Sequence, residues 1–164
     1  MQVAADPGTA ALAEARRHLG YRESPPGSNR TTFGRWFGLD GVPWCAIFVS
    51  YCYEVGAGVV LGGGRSFTHG FASVPALEKW LRTTGQWHES GPRPGDLAVF
   101  DWDGGAPDHV GLVERVEGLE LVTIEGNTAV GNDSDGGCVM RRHRPWNAVS
   151  GYGRLRDGAE SATL

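Results

Sequence analysis

The sequence predicts an α+β fold built as one domain, residues 1–164, and three observations predict it. Apolar residues recur every third or fourth position through the first half, which is helical spacing. After Gly95 the period drops to two, the spacing of strands. The 26 glycines and 9 prolines gather at 25–27, 56–64, 91–95, 104–105 and 136–137, and so divide the chain into short elements. Helices first and strands later imply an antiparallel sheet of about five strands with helices packed on it.

A first helix is predicted over 9–19, with Thr9 as cap, Leu12, Ala15 and Leu19 inward, and Gly20 as stop. Residues 24–29 form a loop, and 31–37 a short helix ended by Gly38. From Cys45 the apolar residues Phe48, Val49, Cys52 and Val55 mark one face of an amphipathic helix closed by Gly56. A further helix over 74–83 turns Val74, Leu77 and Leu81 inward and stops at Gly85. Strands are predicted over 97–102, 110–116, 119–124, 138–143 and 149–155, and a frayed tail over 157–164.

Composition narrows the function classes. With 40% hydrophobic and 21% charged residues the chain is expected to pack rather than stay disordered. A net charge of −4 gives no basic field for phosphates, so no nucleic acid is expected as a partner. The one basic run, Arg141-Arg142-His143-Arg144, reads as a solvated strand end. No apolar stretch is long enough to span a bilayer, which argues against membrane insertion. The opening residues carry neither a basic start nor an apolar block, so the expectation is a cytoplasmic product without a signal peptide, which something else must deliver if it works outside. Three cysteines without CxxC spacing argue against a disulfide framework or structural zinc and leave at least one free thiol. A monomer without a cofactor is expected.

Cys45 lies where a loop enters a helix, where unpaired N–H groups and the positive dipole end favour the nucleophilic thiolate. Cys52, further along the same face, and Cys138, in a strand, read as core. A thiolate nucleophile needs an imidazole within reach and a third group to orient it. Of five histidines, His109 begins a strand and shares a face with Gly111, whose missing side chain leaves room for a substrate or partner group. On the next strand Leu121, Thr123, Glu125 and Asn127 share one face, with Val122 and Ile124 on the other. Glu125 accepting an N–H from His109 explains a carboxylate in so apolar a strand, and Asn127 suits either the oxyanion position or the orientation of the ring. A solvent-facing edge is the alternative for both. Trp36, Phe37 and Trp44 either line a cleft beside the thiol or pack in the core, and Phe37 is assigned to the core.

The blocks Pro43-Trp44-Cys45-Ala46-Ile47-Phe48-Val49, Arg93-Pro94-Gly95-Asp96-Leu97, Asp108-His109-Val110-Gly111-Leu112-Val113 and Glu125-Gly126-Asn127 resemble, in order and spacing, the CHAP family of cysteine- and histidine-dependent amidohydrolases and peptidases. The resemblance covers about 10–155. It implies a compact papain-like fold, Cys45 as nucleophile, His109 as base, Glu125 as orienting acid, Asn127 as a supporting polar group and peptidoglycan as the partner. Within the family the chain looks most like catalytic domains of bacteriophage endolysins, on softer features such as Ser66-Phe67 and the run Phe100-Asp101-Trp102-Asp103. Related domains often carry a longer acidic loop before the histidine. Here Asp101, Asp103 and Asp108 lack the ligand spacing of an EF-hand, so no metal is assigned; they are expected to turn the loop and shape the groove, Asp108 together with Trp36 and Trp44 as substrate contacts.

Rival readings keep the thiol but change the target, making the chain an interbacterial toxin or an amidase on another amide. A non-catalytic cell-wall binding module is the rival from a different class. A zinc amidase requires an open ligand set that loosely spaced histidines and cysteines do not supply.

Overall fold

A computed structural model describes residues 5–64 and 67–156. The tail predicted over 157–164 and Ser66 lie outside the described residues. Four α-helices, α1 (Pro7–Arg17), α2 (Thr32–Phe37), α3 (Cys45–Tyr51) and α4 (Val74–Thr83), precede one antiparallel sheet. Its strands are β1 (Trp87–His88), β2 (Leu97–Phe100), β3 (His109–Glu117), β4 (Glu120–Thr128), β5 (Cys138–Pro145) and β6 (Val149–Gly153), in the order β1-β6-β2-β3-β4-β5. The α+β class is as expected. The sixth strand is new, because two residues, Trp87 and His88, offer no alternation to read. Among the described residues no helix is long and apolar enough to cross a membrane.

Local chemistry sets the helix ends. Asp6, not Thr9, caps α1: its carboxylate accepts from the Thr9 N–H at 3.1 Å, and Pro7 fills the first helical position without needing an N–H. The helix ends at Arg17, with His18 as its C-cap, so Leu19 lies beyond it. α2 is closed by Gly38 at φ 91°, as predicted, and begins one residue later than expected, with Thr31 as its N-cap. α4 covers the predicted residues, with Val74, Leu77 and Leu81 buried.

α3 is the central helix. Cys45 to Ser50 are buried, and after Tyr51 the helix widens into a π-helical turn, Cys52–Gly56. That turn rotates the residues within and beyond it, so Val55, expected inward, is 48% exposed, while Tyr53 is buried and donates to the Gly95 carbonyl at 2.7 Å. The helix packs on β3 and β4. Its approach depends on Gly126, where a Cβ would stand 2.7 Å from Phe48 and 2.9 Å from Trp44. The larger core lies between helices and sheet, with Phe48, Leu112 and Ile124 at its centre. A smaller cluster of Ala98, Phe100, Val113, Leu121 and Tyr152 covers the opposite face.

Candidate active site

Cys45 opens α3, and its N-cap Trp44 makes no side-chain cap bond, so no capping side chain occupies the N–H groups of the first turn. The residue is 6% exposed. Cys52 and Cys138 are buried, as expected of core residues, and burial pushes the Cys52 thiol well up.

His109 is the first residue of β3, opposite Phe100 of β2. Its ring is fully buried, with the Trp102 ring stacked on it at 5.7 Å. Nε2 meets Glu125 Oε1 at 2.7 Å, which makes Nε2 the protonated nitrogen against an ionised carboxylate. Nδ1 is buried without a partner in good hydrogen-bond geometry, and Cys45 is the thiol beside the ring. Burial alone would push the imidazole pKa down. The charge of Cys45 beside the ring, with the bond and charge of Glu125, overcomes it and holds the ring up at about 9. His18 and His69 bind other carboxylates, Glu14 and Glu54, and His143 lies exposed near Glu120.

Glu125 is fully buried on β4. Gly111 makes room for it: a Cβ there would lie 2.5 Å from Glu125 Cγ, so the space predicted beside His109 is filled by a partner group. The carboxylate receives four donors. Nε2 of His109 and Nη2 of Arg144 reach Oε1, at 2.7 and 2.6 Å; Thr123 Oγ1 and Arg144 Nε reach Oε2, at 2.5 and 2.9 Å. Burial raises its pKa, but the Arg144 and His109 bonds outweigh that and hold the group down at about 2. The solvated strand end expected for 141–144 is corrected here. Arg144 is 4% exposed, because alternation along β5 turns it to the Glu125 face while Arg141 turns to Glu114 on the other. Sequence reasoning missed Arg144 and Thr123; the signal was the alternation itself, which needs the β4–β5 register to become informative.

The other predicted residues scatter. Asn127, at φ 58° in a bulge of β4, is buried, but its side chain bonds the loop beyond rather than His109: Oδ1 accepts from the Gly137 N–H at 3.1 Å and Nδ2 donates to Asp135 at 3.3 Å. Trp44 has no exposed surface; it stacks on Phe33 and donates to Glu23 at 3.3 Å, so it is core rather than a substrate contact. Trp36 packs on Tyr51 and His69, at the far end of α3 from Cys45. Asp108 stands next to His109 and accepts from the Trp102 N–H at 2.8 Å, fixing the loop whose tryptophan covers the imidazole. Asp101, Asp103 and Asp108 bring one oxygen each within 4.8 Å of one another, while Asp101 and Asp103 carboxylates also accept loop N–H groups.

A cavity of 760 Å³ lies elsewhere, lined by Tyr53, His88, Arg93, Asp96 and Arg154. Asp96 and Arg154 already satisfy each other at 2.7 Å and no cysteine borders the cavity, so the chemistry points to Cys45 and His109 instead.

A family model described as the CHAP domain matches residues 38–127. The crystal structure of Ly7917 is similar, with TM-score 0.55 and 21% identity over 90% of this chain and 61% of that one. Ly7917 with the hydrolyzing product of MDP gives TM-score 0.54 and 20% identity over 90% and 62%. The NlpC/p60 domain of the peptidoglycan hydrolase SagA matches at TM-score 0.48 and 18% identity, over 90% and 98%. The chain thus spans 61% of the length of Ly7917, with which it shares a fold. No curated protein matches it.

Proposed function

The chain belongs to the CHAP family, and from that premise we propose that it is a cysteine peptidase or amidase cleaving an amide bond in the peptide part of peptidoglycan, in the manner of a phage endolysin. The single observation that carries the reading is the buried line Cys45, His109, Glu125, with a carboxylate on one imidazole nitrogen and the thiol beside the ring.

The reaction begins with Cys45 giving its thiol proton to Nδ1 of His109 and the resulting thiolate adding to the amide carbonyl. The backbone N–H of Cys45, at the helix start, donates to the oxyanion. Nδ1 of His109 gives its proton to the departing amine, the C–N bond breaks and a thioester remains. Water then gives a proton to Nδ1 as it adds to the thioester, and collapse releases the carboxylic acid and the thiolate. Glu125 holds the ring in the productive tautomer throughout. The Ly7917 complex with the hydrolyzing product of MDP is in keeping with such chemistry on this fold.

Purified cell walls provide the test. The wild-type chain is expected to clear them and Cys45→Ala to leave them turbid, whereas equal clearing by both, or by neither, defeats the reading. Mass spectrometry of the released muropeptides then separates amidase from endopeptidase cleavage: a free lactyl group marks the first, a new stem or crossbridge terminus the second.

A further inference from the structure

Glu125 orients the base, and something must in turn aim Glu125. A buried carboxylate on a three-bond stem has a broad, nearly two-fold final torsion, so one hydrogen bond to His109 does not fix its plane. Thr123 supplies one further contact, to Oε2. The guanidinium of Arg144 supplies two, one to each oxygen, and the planar fork matches the carboxylate in a way no single donor does.

Arg144 is itself held from three sides. Nη1 donates to Asp133 Oδ1 at 2.6 Å, and the guanidinium lies 5.1 Å from the Trp102 ring centroid and 5.5 Å from that of Phe100. Trp102 also stacks on His109, so arginine and imidazole share one aromatic neighbour. The charged and titratable groups around this assembly come from each packed element: Cys45 of α3 and Glu125 of β4 on His109, His109 of β3 and Arg144 of β5 on Glu125, and Asp133 of the β4–β5 loop on Arg144. Arg142, two residues earlier on the same face, reaches Asp133 and Thr128 but makes no bond to Glu125.

We propose that Arg144 is a positioning residue of this site: its fork fixes the plane of the Glu125 carboxylate, so that Oε1 stays aimed at Nε2 of His109 and the other ring nitrogen stays turned to Cys45. The inference rests on the reading of Cys45 and His109 as the catalytic pair. Removing the fork takes two of the four bonds from Glu125 and frees its last torsion. The imidazole then samples orientations in which Nδ1 misses the substrate amine.

Three variants test it, Arg144→Gln, Arg144→Lys and Arg142→Gln, each read by kcat and KM on purified cell walls and by the NMR resonance of the His109 Nε2–H proton. In Arg144→Gln, kcat is expected to fall about tenfold or more, with KM within about twofold, and the Nε2–H proton to exchange faster. Arg144→Lys keeps the charge but not the fork and should lie between Arg144→Gln and wild type in both readouts. Arg142→Gln disturbs the same loop and should keep both. Wild-type kcat and a protected Nε2–H in either Arg144 variant overturn the proposal, and so does an Arg142→Gln loss as large as that of Arg144→Gln. If Arg144→Gln does not fold, Arg144→Lys decides alone. The NMR arm uses no substrate, so a wild-type protein inert on cell walls sinks the proposed function while leaving Arg144 to be judged.

Discussion

Two buried glutamates on opposite faces of the sheet invite comparison. Glu125 faces the smaller cluster and Glu114 the helices, and each takes an arginine from β5, Arg144 and Arg141 respectively. Both carboxyls are held at about 2, Glu114 chiefly by its Arg141 bond and Glu125 against a larger burial penalty. They differ in their remaining partners. Glu114 gathers Arg16 from α1 and Arg115, all with side chains 41–47% exposed, whereas Glu125 takes a histidine, a threonine and an arginine that is itself buried. A carboxylate whose cations reach water ties elements together. One whose cation is sealed in beside an imidazole is committed to that imidazole.

The sharpest way to break this contrast is catalytic. Glu125→Gln is expected to lower kcat by about 10²- to 10⁴-fold, since it removes the group that orients the base, while Glu114→Gln keeps wild-type turnover on cell walls. Stability comes next. Glu125→Leu strands the buried Arg144 charge and should cost about 3–5 kcal/mol in urea unfolding; Glu114→Leu leaves arginines that water can solvate and should cost about 1–2 kcal/mol.

The pH dependence sharpens the comparison further. Both glutamates have depressed pKa values, so each contributes stability that is present above the ordinary 4.5 and lost as pH falls towards about 2. His109 has the opposite sign: its contribution is present below 6.5 and lost as pH rises through about 9. Unfolding curves should therefore weaken on the alkaline side in wild type and less so in His109→Gln, and kcat/KM should decline above about pH 9 as the imidazolium loses its proton. Salt gives the smallest effect. Raising ionic strength should weaken the half-exposed Glu114 cluster by under about 1 kcal/mol and leave the sealed Glu125 pair unchanged, measured as the difference in unfolding midpoint between Glu114→Gln and Glu125→Gln backgrounds.

Where one residue carried a complete local signal, the sequence was a sufficient guide. The α4 boundaries, the α2 stop at Gly38 and the helix start at Cys45 follow from stop signals and periodicity alone. The His109–Glu125 bond was legible because a lone carboxylate in an apolar strand demands a partner. Features that depended on register or on backbone irregularity were not legible. Arg144 needed the β4–β5 pairing, Val55 was turned out by a π-helical turn, and Asn127 was drawn to the loop by a bulge. Trp44 shows the remaining gap: position beside the thiol did not reveal that its ring faces inward.

The order of the strands has a consequence for how the enzyme comes into being. His109, Glu125 and Arg144 sit on three successive strands, with only 16 and 19 residues separating the bonded pairs, so these contacts close over short stretches of chain. Cys45 arrives from the helical half across a much longer span. The base and the groups that aim it thus come from one run of neighbouring strands and the nucleophile from the helical half, so the packing of α3 onto the sheet is what joins them.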